Sequence, residues 1–189
     1  MAIEDRRLRE RLAQRQLMTS TARRIAEADG WDAVTTRRLA NEIEYSQPVI
    51  YKHFASLDDL VAAVAVESFG ELTDALRDAR LGSADAGSLG ALARAYCGFA
   101  AEHPALYDAM FTRDTRLAFA SPDAPSALSA AYAELSAGVA PHAGDRDVAT
   151  LTEVFWAALH GLVVLGRSGR LRADAVDDRI AVLVATVGS

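Results

Sequence analysis

Between Thr35 and His53 stand residue types suited to reading a polyanion: Thr35, Thr36 and Arg37, then Ser46, Gln47, Pro48, Val49, Tyr51, Lys52 and His53. A Gln amide pairs bidentately with adenine, a Val side chain meets a thymine methyl, and Tyr, Lys and His suit phosphates or base edges. A Thr at a helix start adds its hydroxyl to free backbone N–H groups and a partial positive charge, which together hold a phosphate. Simple capping would use the same Thr. Arg37, on the polar side of the first turn, reaches a base edge or a phosphate. Val and Tyr facing outward beside Lys and His make an odd surface for solvent alone.

These side chains need two short helices and a tight corner to hold them. Val34 is placed as an apolar staple before a Thr35 cap, and a helix over Thr36–Ile43 turns Leu39, Ala40 and Ile43 inward. Glu44-Tyr45-Ser46 makes the corner, and a second helix starts at Ser46 or Gln47 with Pro48 near its first position. Ile50 and Phe54, four residues apart, anchor it and leave Gln47, Val49, Tyr51, Lys52 and His53 facing outward. The pattern fits a helix-turn-helix whose second helix enters the DNA major groove. A preceding helix begins somewhere in 5–15 and ends at Asp29, with Gly30 as its stop. Its inward face is Met18, Thr21, Ala22 and Ile25, while Arg15, Arg23, Arg24 and Glu27 lie mostly away from it. Arg6, Arg7, Arg9, Arg11 and Arg15 form either a phosphate-contacting arm or, because Glu4, Asp5 and Glu10 are interleaved, a solvated helix extension.

A formal charge of −6 sits oddly with a DNA partner until it is divided along the chain. Residues 1–60 carry ten Lys+Arg against ten Asp+Glu, and residues 61–189 carry ten against sixteen, so the acidity belongs to the body. The 189 residues suit a small head on a larger body, and 51% hydrophobic content supports packed cores. No continuous apolar run of membrane-spanning length and no apolar signal core are read, so a cytoplasmic location is expected. One cysteine, Cys97, excludes an intramolecular disulfide and reads as a core residue. His53, His103, His142 and His160 lack metal-ligand spacing, and no HExxH, P-loop, GxSxG or Rossmann glycine pattern occurs. No catalytic constellation, cofactor or metal site is therefore expected.

Thr35-Thr36-Arg37-Arg38-Leu39-Ala40, Gln47-Pro48, Tyr51, His53 and the following Leu60 resemble the TetR family of one-component regulators over roughly the N-terminal third of the chain. The resemblance implies an all-α homodimer, with a three-helix DNA-binding head containing the helix-turn-helix and a connecting fourth helix. A larger helical domain for ligand binding and dimerisation follows. On this basis residues 1–55 are assigned to the head and 56–189 to the C-terminal domain. Two positions depart from the family pattern: Glu44 stands where Gly is usual, and Leu57 where many relatives place Lys. A residue with a Cβ resists the positive φ that Gly adopts freely.

The body reads as further helices. Ser56-Leu57-Asp58-Asp59 approximates a capping box for a helix running to about Arg80, with Leu60, Val61, Val64, Leu72 and Leu76 apolar. Leu81–Ser88 is a loop, and Leu89–Glu102 places Leu89, Leu92, Ala93, Tyr96, Phe99 and Ala100 on one face. Pro104 opens a short helix, a segment around Thr115–Phe119 leads to a 122–125 loop, and Ser126 to about Val139 carries Leu128, Tyr132 and Leu135 inward. Aromatic density marks Tyr96, Phe99, Tyr107, Met110, Phe111, Trp156 and His160 as the candidate ligand pocket, although each alone also suits a core. Asp147 to about Leu165 is apolar on more than one face, and Val176, Ile180, Leu183, Val184 and Val187 form a final stripe. Leu151, Phe155, Leu159, Leu162, Ile180, Leu183 and Val184 are the candidate dimer interface, where a second chain completes a four-helix bundle. Gly161 would permit close helix approach, and Trp156-x-x-x-His160-Gly161 resembles one C-terminal subgroup of the same family.

Three functions follow from this reading. The first is a DNA-binding transcriptional regulator, a repressor released from a palindromic operator by a small, largely apolar ligand. The second is a constitutive dimeric DNA-binding protein without an effector. The third is a helical ligand-binding or enzymatic protein with a vestigial head. The partners expected under the first are double-stranded operator DNA, an unknown small-molecule effector and a second copy of the chain, with no membrane.

Overall fold

A computed structural model describes residues 2–83, 89–113 and 126–188, and every described element is helical. The α-helices are α1 (Ala2–Asp29), α2 (Thr36–Glu42), α3 (Gln47–Tyr51), α4 (Leu57–Leu81), α5 (Leu89–Glu102), α6 (Pro104–Phe111), α7 (Ser126–Val139), α8 (Val148–Arg167) and α9 (Val176–Val187). Short 3-10 turns at Trp31–Ala33, Ala140–His142 and Ala173–Ala175 join them. The expected segment at 115–119 and the 122–125 loop lie outside the described residues, as does most of the 81–88 loop. The chain packs into two compact units, the division falling within α4 after Ser68.

The first unit comprises α1, α2, α3, α4 through Ser68, and α6. α1 is longer than expected and starts at Ala2, because nothing before Arg15 breaks the helix and Glu4 and Asp5 in its first turn favour the positive end of the helix dipole. Its inward face is as predicted: Met18, Thr21, Ala22 and Ile25 are buried. Gly30 stops it at φ +82. Two residues expected to face away do not. The Glu27 carboxylate accepts from the backbone N–H groups of Ala105 and Leu106, both at 3.3 Å, and so caps α6, whose own N-cap His103 makes no side-chain capping bond. Arg15 Nη1 donates to the His53 carbonyl at 2.7 Å, with its guanidinium 4.1 Å from the Phe54 ring centroid. Trp31 is buried, and its Nε1–H donates to the Ala105 carbonyl at 2.7 Å. Val34, Leu39, Ala40, Ile43, Ile50 and Phe54 complete the small core under the helix-turn-helix.

The second unit is built from α4 beyond Ser68, α5, and α7 to α9. α5 is central and contacts α7, α8 and α9, burying the predicted face from Leu89 to Ala100. α7 approaches α5 at Gly138, where a Cβ would lie 2.0 Å from Leu92 Cδ1, so only glycine fits without displacing Leu92. Glu134, buried on α7, accepts from Arg77 Nε at 2.9 Å and Arg80 Nη2 at 2.7 Å, tying α7 to α4. Tyr132, expected inward, is only half-buried, and its hydroxyl donates to the Ala149 carbonyl at 3.2 Å.

α8 bears on two expectations. By length and composition alone this 20-residue helix could cross a membrane, although Glu153 and His160 interrupt it and leave no continuous apolar run of that length. Phe155 and Leu159 on α8 are fully buried, and Ile180 on α9 is 2% exposed, so these three candidate interface residues are closed in the unit's own core. Leu151, Leu162, Leu183 and Val184 are half-buried, whereas Val154, Leu165 and Val182 are open. Val176, counted in the final apolar stripe, is exposed, although Ala175 just before it is buried.

Candidate nucleic-acid interface

α2 begins as its sequence demands. Thr35 is extended and its hydroxyl accepts from the Arg38 backbone N–H at 3.1 Å, so capping occupies Thr35 and leaves Thr36 to other work. Thr36 Oγ1, at the start of α2, lies 3.5 Å from Tyr51 Oη, at the C-terminal end of α3. Arg38 turns back to pair with Asp29, and Arg24 of α1 pairs with Glu42 at 2.7 Å. These ion pairs clamp α2 to α1. Arg37 is exposed and has no ion pair among the described residues.

The corner turns through Glu44 at φ +57, the left-handed conformation that glycine would take at lower cost. Ser46 is the N-cap of α3 without a side-chain capping bond, and Pro48 occupies the first turn, where no intrahelical N–H donor is required. Ile50 and Phe54, each 2% exposed, hold the helix down. Gln47, Tyr51 and Lys52 are exposed, with Val49 half-buried beside them. Lys52 makes no ion pair among the described residues. The arrangement offers amide, phenol and ammonium groups on one short helix and its C-cap, with the Arg37 guanidinium on the helix before it, a donor-rich surface.

His53 does not share that outward face. Its Nε2 lies 3.1 Å from Gln14 Oε1 on α1, and its Nδ1 is buried without a hydrogen-bond partner. Burial, with Arg11, Arg15 and Lys52 nearby, holds its pKa below the ordinary value of 6.5. With Nε2–H donating to Gln14, protonation at Nδ1 would place a new N–H without an acceptor beside three cations. Arg15 holds the His53 carbonyl against α1 at the same place where Gln14 meets the ring. Sequence reasoning missed this bond because Arg15 and His53 are 38 residues apart, and a lone Arg on a basic helix carries no signal of its partner.

The candidate pocket residues divide between the units. Tyr107 and Met110 are buried in the first, with the Phe111 ring tilted against Tyr107 at a centroid distance of 4.8 Å. Tyr96, Phe99, Trp156 and His160 belong to the second, where Trp156 Nε1–H donates to Tyr96 Oη at 3.1 Å. His160 follows Trp156 by one turn on α8, and burial lowers its pKa. Burial likewise pushes the Cys97 thiol up, against a smaller opposing effect of Arg179. No group of three or more metal-ligating side chains occurs among the described residues.

Residues 19–64 match the model of bacterial regulatory proteins of the tetR family, and residues 89–187 match that of the tetracyclin repressor-like C-terminal domain. The chain belongs to the TetR family. It is 31% identical over 156 residues to an uncharacterized HTH-type transcriptional regulator of Mycobacterium tuberculosis, covering 82% of this chain and 71% of that one. A protein of unknown function from Rhodococcus sp. RHA1 superposes with a TM-score of 0.74 at 28% identity, over 92% of this chain and 93% of that one. The TetR family transcriptional regulator PfmR from Thermus thermophilus shares the fold, with a TM-score of 0.61 at 16% identity over 91% and 93% of the two chains. A TetR-family chain with this head is a DNA-binding transcriptional regulator.

Proposed function

We propose that this TetR-family regulator is a repressor that binds a palindromic operator as a homodimer and is released by a small, largely apolar ligand. The observation that carries the DNA reading is the open face of Gln47, Tyr51 and Lys52 on α3, anchored from beneath by Ile50 and Phe54. In this reading Gln47, Val49 and Tyr51 read base edges. Thr36, Arg37, Ser46 and Lys52 position the head on phosphates. Residues 1–55 form the DNA-binding domain and 56–189 the ligand-binding and dimerisation domain. The open apolar side of α8 and α9 is read as the dimer interface rather than a membrane-spanning surface, because Thr152, Phe155, Leu159 and Val163 already bury the other side of α8 in a protein core. Cytoplasmic location follows from the DNA partner.

Tyr96, Phe99, Trp156 and His160 are proposed as the ligand-contacting group, apolar rings with a phenol, an indole N–H and an imidazole as polar tips. The ligand acts by population shift: it binds one arrangement of the dimer better, and a coupling of about 1–3 kcal/mol weakens operator binding. Selection of binding sites from random duplexes tests the DNA reading. A palindrome supports it, and failure of the full-length protein to enrich any duplex sinks it. Gln47→Ala and Tyr51→Ala should each reduce operator affinity more than affinity for scrambled DNA. Equal losses on both duplexes would reassign these two side chains to the backbone. Candidate ligands that bind equally well with and without operator would leave the constitutive, effector-free reading in place.

A further inference from the structure

α1 carries more helix than the first unit's core uses. Its buried face at Ile25, Ala22 and Met18 continues toward the N-terminus, in alternating steps of three and four residues, through Arg15, Arg11 and Leu8. Arg7 precedes Arg11 by one turn. The register of this face against α3 is set at one place, where Arg15 donates to the His53 carbonyl at 2.7 Å and Gln14 meets the His53 ring at 3.1 Å. Arg11 therefore stands one turn beyond that junction and Arg7 two turns beyond it, roughly 12 Å along the helix axis from Arg15.

The other cations of this unit are largely accounted for. Arg6 pairs with Glu10, Arg9 donates to the Asp5 carbonyl, Arg24 pairs with Glu42, Arg38 with Asp29 and Arg113 with Asp32. Arg7, Arg11, Arg37 and Lys52 have no anionic partner among the described residues. Arg37 and Lys52 lie on the helix-turn-helix. Arg7 and Arg11 lie outside it, toward the side of α1 that meets α3, and Glu10, one turn from Arg7, is held by Arg6.

We propose that Arg7 and Arg11 hold successive DNA backbone phosphates beside the stretch met by α3, which makes the N-terminal turns of α1 part of the DNA contact surface. The proposal rests on the DNA reading above. Guanidinium groups match phosphate oxygens as bidentate donors and carry no base information, so the arm adds affinity and salt dependence without adding sequence preference. Each phosphate neutralised contributes about 0.9 to the slope of log affinity against log salt.

The test uses the full-length protein on its selected operator and on a scrambled duplex, titrated between about 50 and 200 mM salt. Arg7→Ala with Arg11→Ala should weaken both duplexes by a similar factor and reduce the salt slope by roughly two. Arg7→Lys with Arg11→Lys should restore most of the slope, and circular dichroism should show the helix intact in both variants. Unchanged affinity and slope in the alanine pair, with the parent binding operator normally, overturns the arm proposal alone. A loss confined to the operator also overturns it, because the arm would then be reading bases. So does an unchanged slope together with lost binding to phosphatidylserine vesicles, which would assign the arm to a membrane surface. A parent protein that binds neither duplex removes the DNA reading and the arm with it.

Discussion

Glu44 holds the corner between α2 and α3 at φ +57, a conformation that costs a residue bearing a Cβ about 1–2 kcal/mol. Glycine would relieve that strain and lose some of the gain to the greater freedom of its unfolded chain. Glu44→Gly should stabilise the protein by about 0.5–1 kcal/mol, read as a higher urea midpoint with an unchanged slope. A lower midpoint would mean that the Glu44 side chain stabilises the corner by more than its strain. His53 gives a pH prediction. Its folded pKa lies below 6.5, so the unfolded chain binds the proton more readily. The stability it supports is complete above about pH 6.5 and is lost as pH falls from there toward the lowered folded value. His160 is shifted in the same direction. Urea midpoints at pH 7.5 and 5.5 should therefore differ more in the parent than in His53→Gln, and equal differences would mean that His53 is not the titrating group.

At the scale of elements, α6 depends on α1 for its start. His103 supplies no side-chain cap and Pro104 has no N–H, so the next two amides turn to the Glu27 carboxylate. Glu27→Ala should cost about 1 kcal/mol, the usual worth of a cap, and should speed hydrogen exchange at Ala105 and Leu106 before other amides of the unit. Unchanged exchange there would show that water replaces the carboxylate without loss. The same scale explains how α3 is held as a short helix of five residues. So short a helix has little stability of its own. It is kept by Ile50 and Phe54 beneath it and by the Arg15 bond at its C-terminal end.

For the whole molecule, the proposed dimer rests on the open apolar side of the second unit. Ala158, Gly161, Leu162, Leu165, Val182 and Leu183 line a shallow groove between α8 and α9, and a Cβ at Gly161 would meet nothing within 4 Å. Val182 is 67% and Leu165 39% exposed, so charges placed there spare the core of the single chain. Leu165→Glu with Val182→Glu should convert the proposed dimer to a monomer at micromolar concentration in sedimentation velocity, with helicity retained. Operator affinity should fall by about 10² or more, because two linked heads bind with an avidity that a single head lacks. A variant that remains dimeric would move the interface to another face.

The sequence by itself determined what is local. Helix periods, the Thr35 cap, the Gly30 stop and the face of α5 follow from spacing within one segment, and the helix-turn-helix was legible because α2, its corner and α3 are contiguous. Tertiary structure decided which of several possible faces each helix turns to which neighbour. Phe155, Leu159 and Ile180 fit an interface or a core equally well by period, and only packing against α5 places them inside. His53 looked like part of the reading face until Gln14 and Arg15 claimed it, and Glu27 looked solvated until α6 arrived at its carboxylate. Each of these outcomes depends on a partner dozens of residues away, whose position is set by the summed packing of the unit rather than by any pattern within the segment itself.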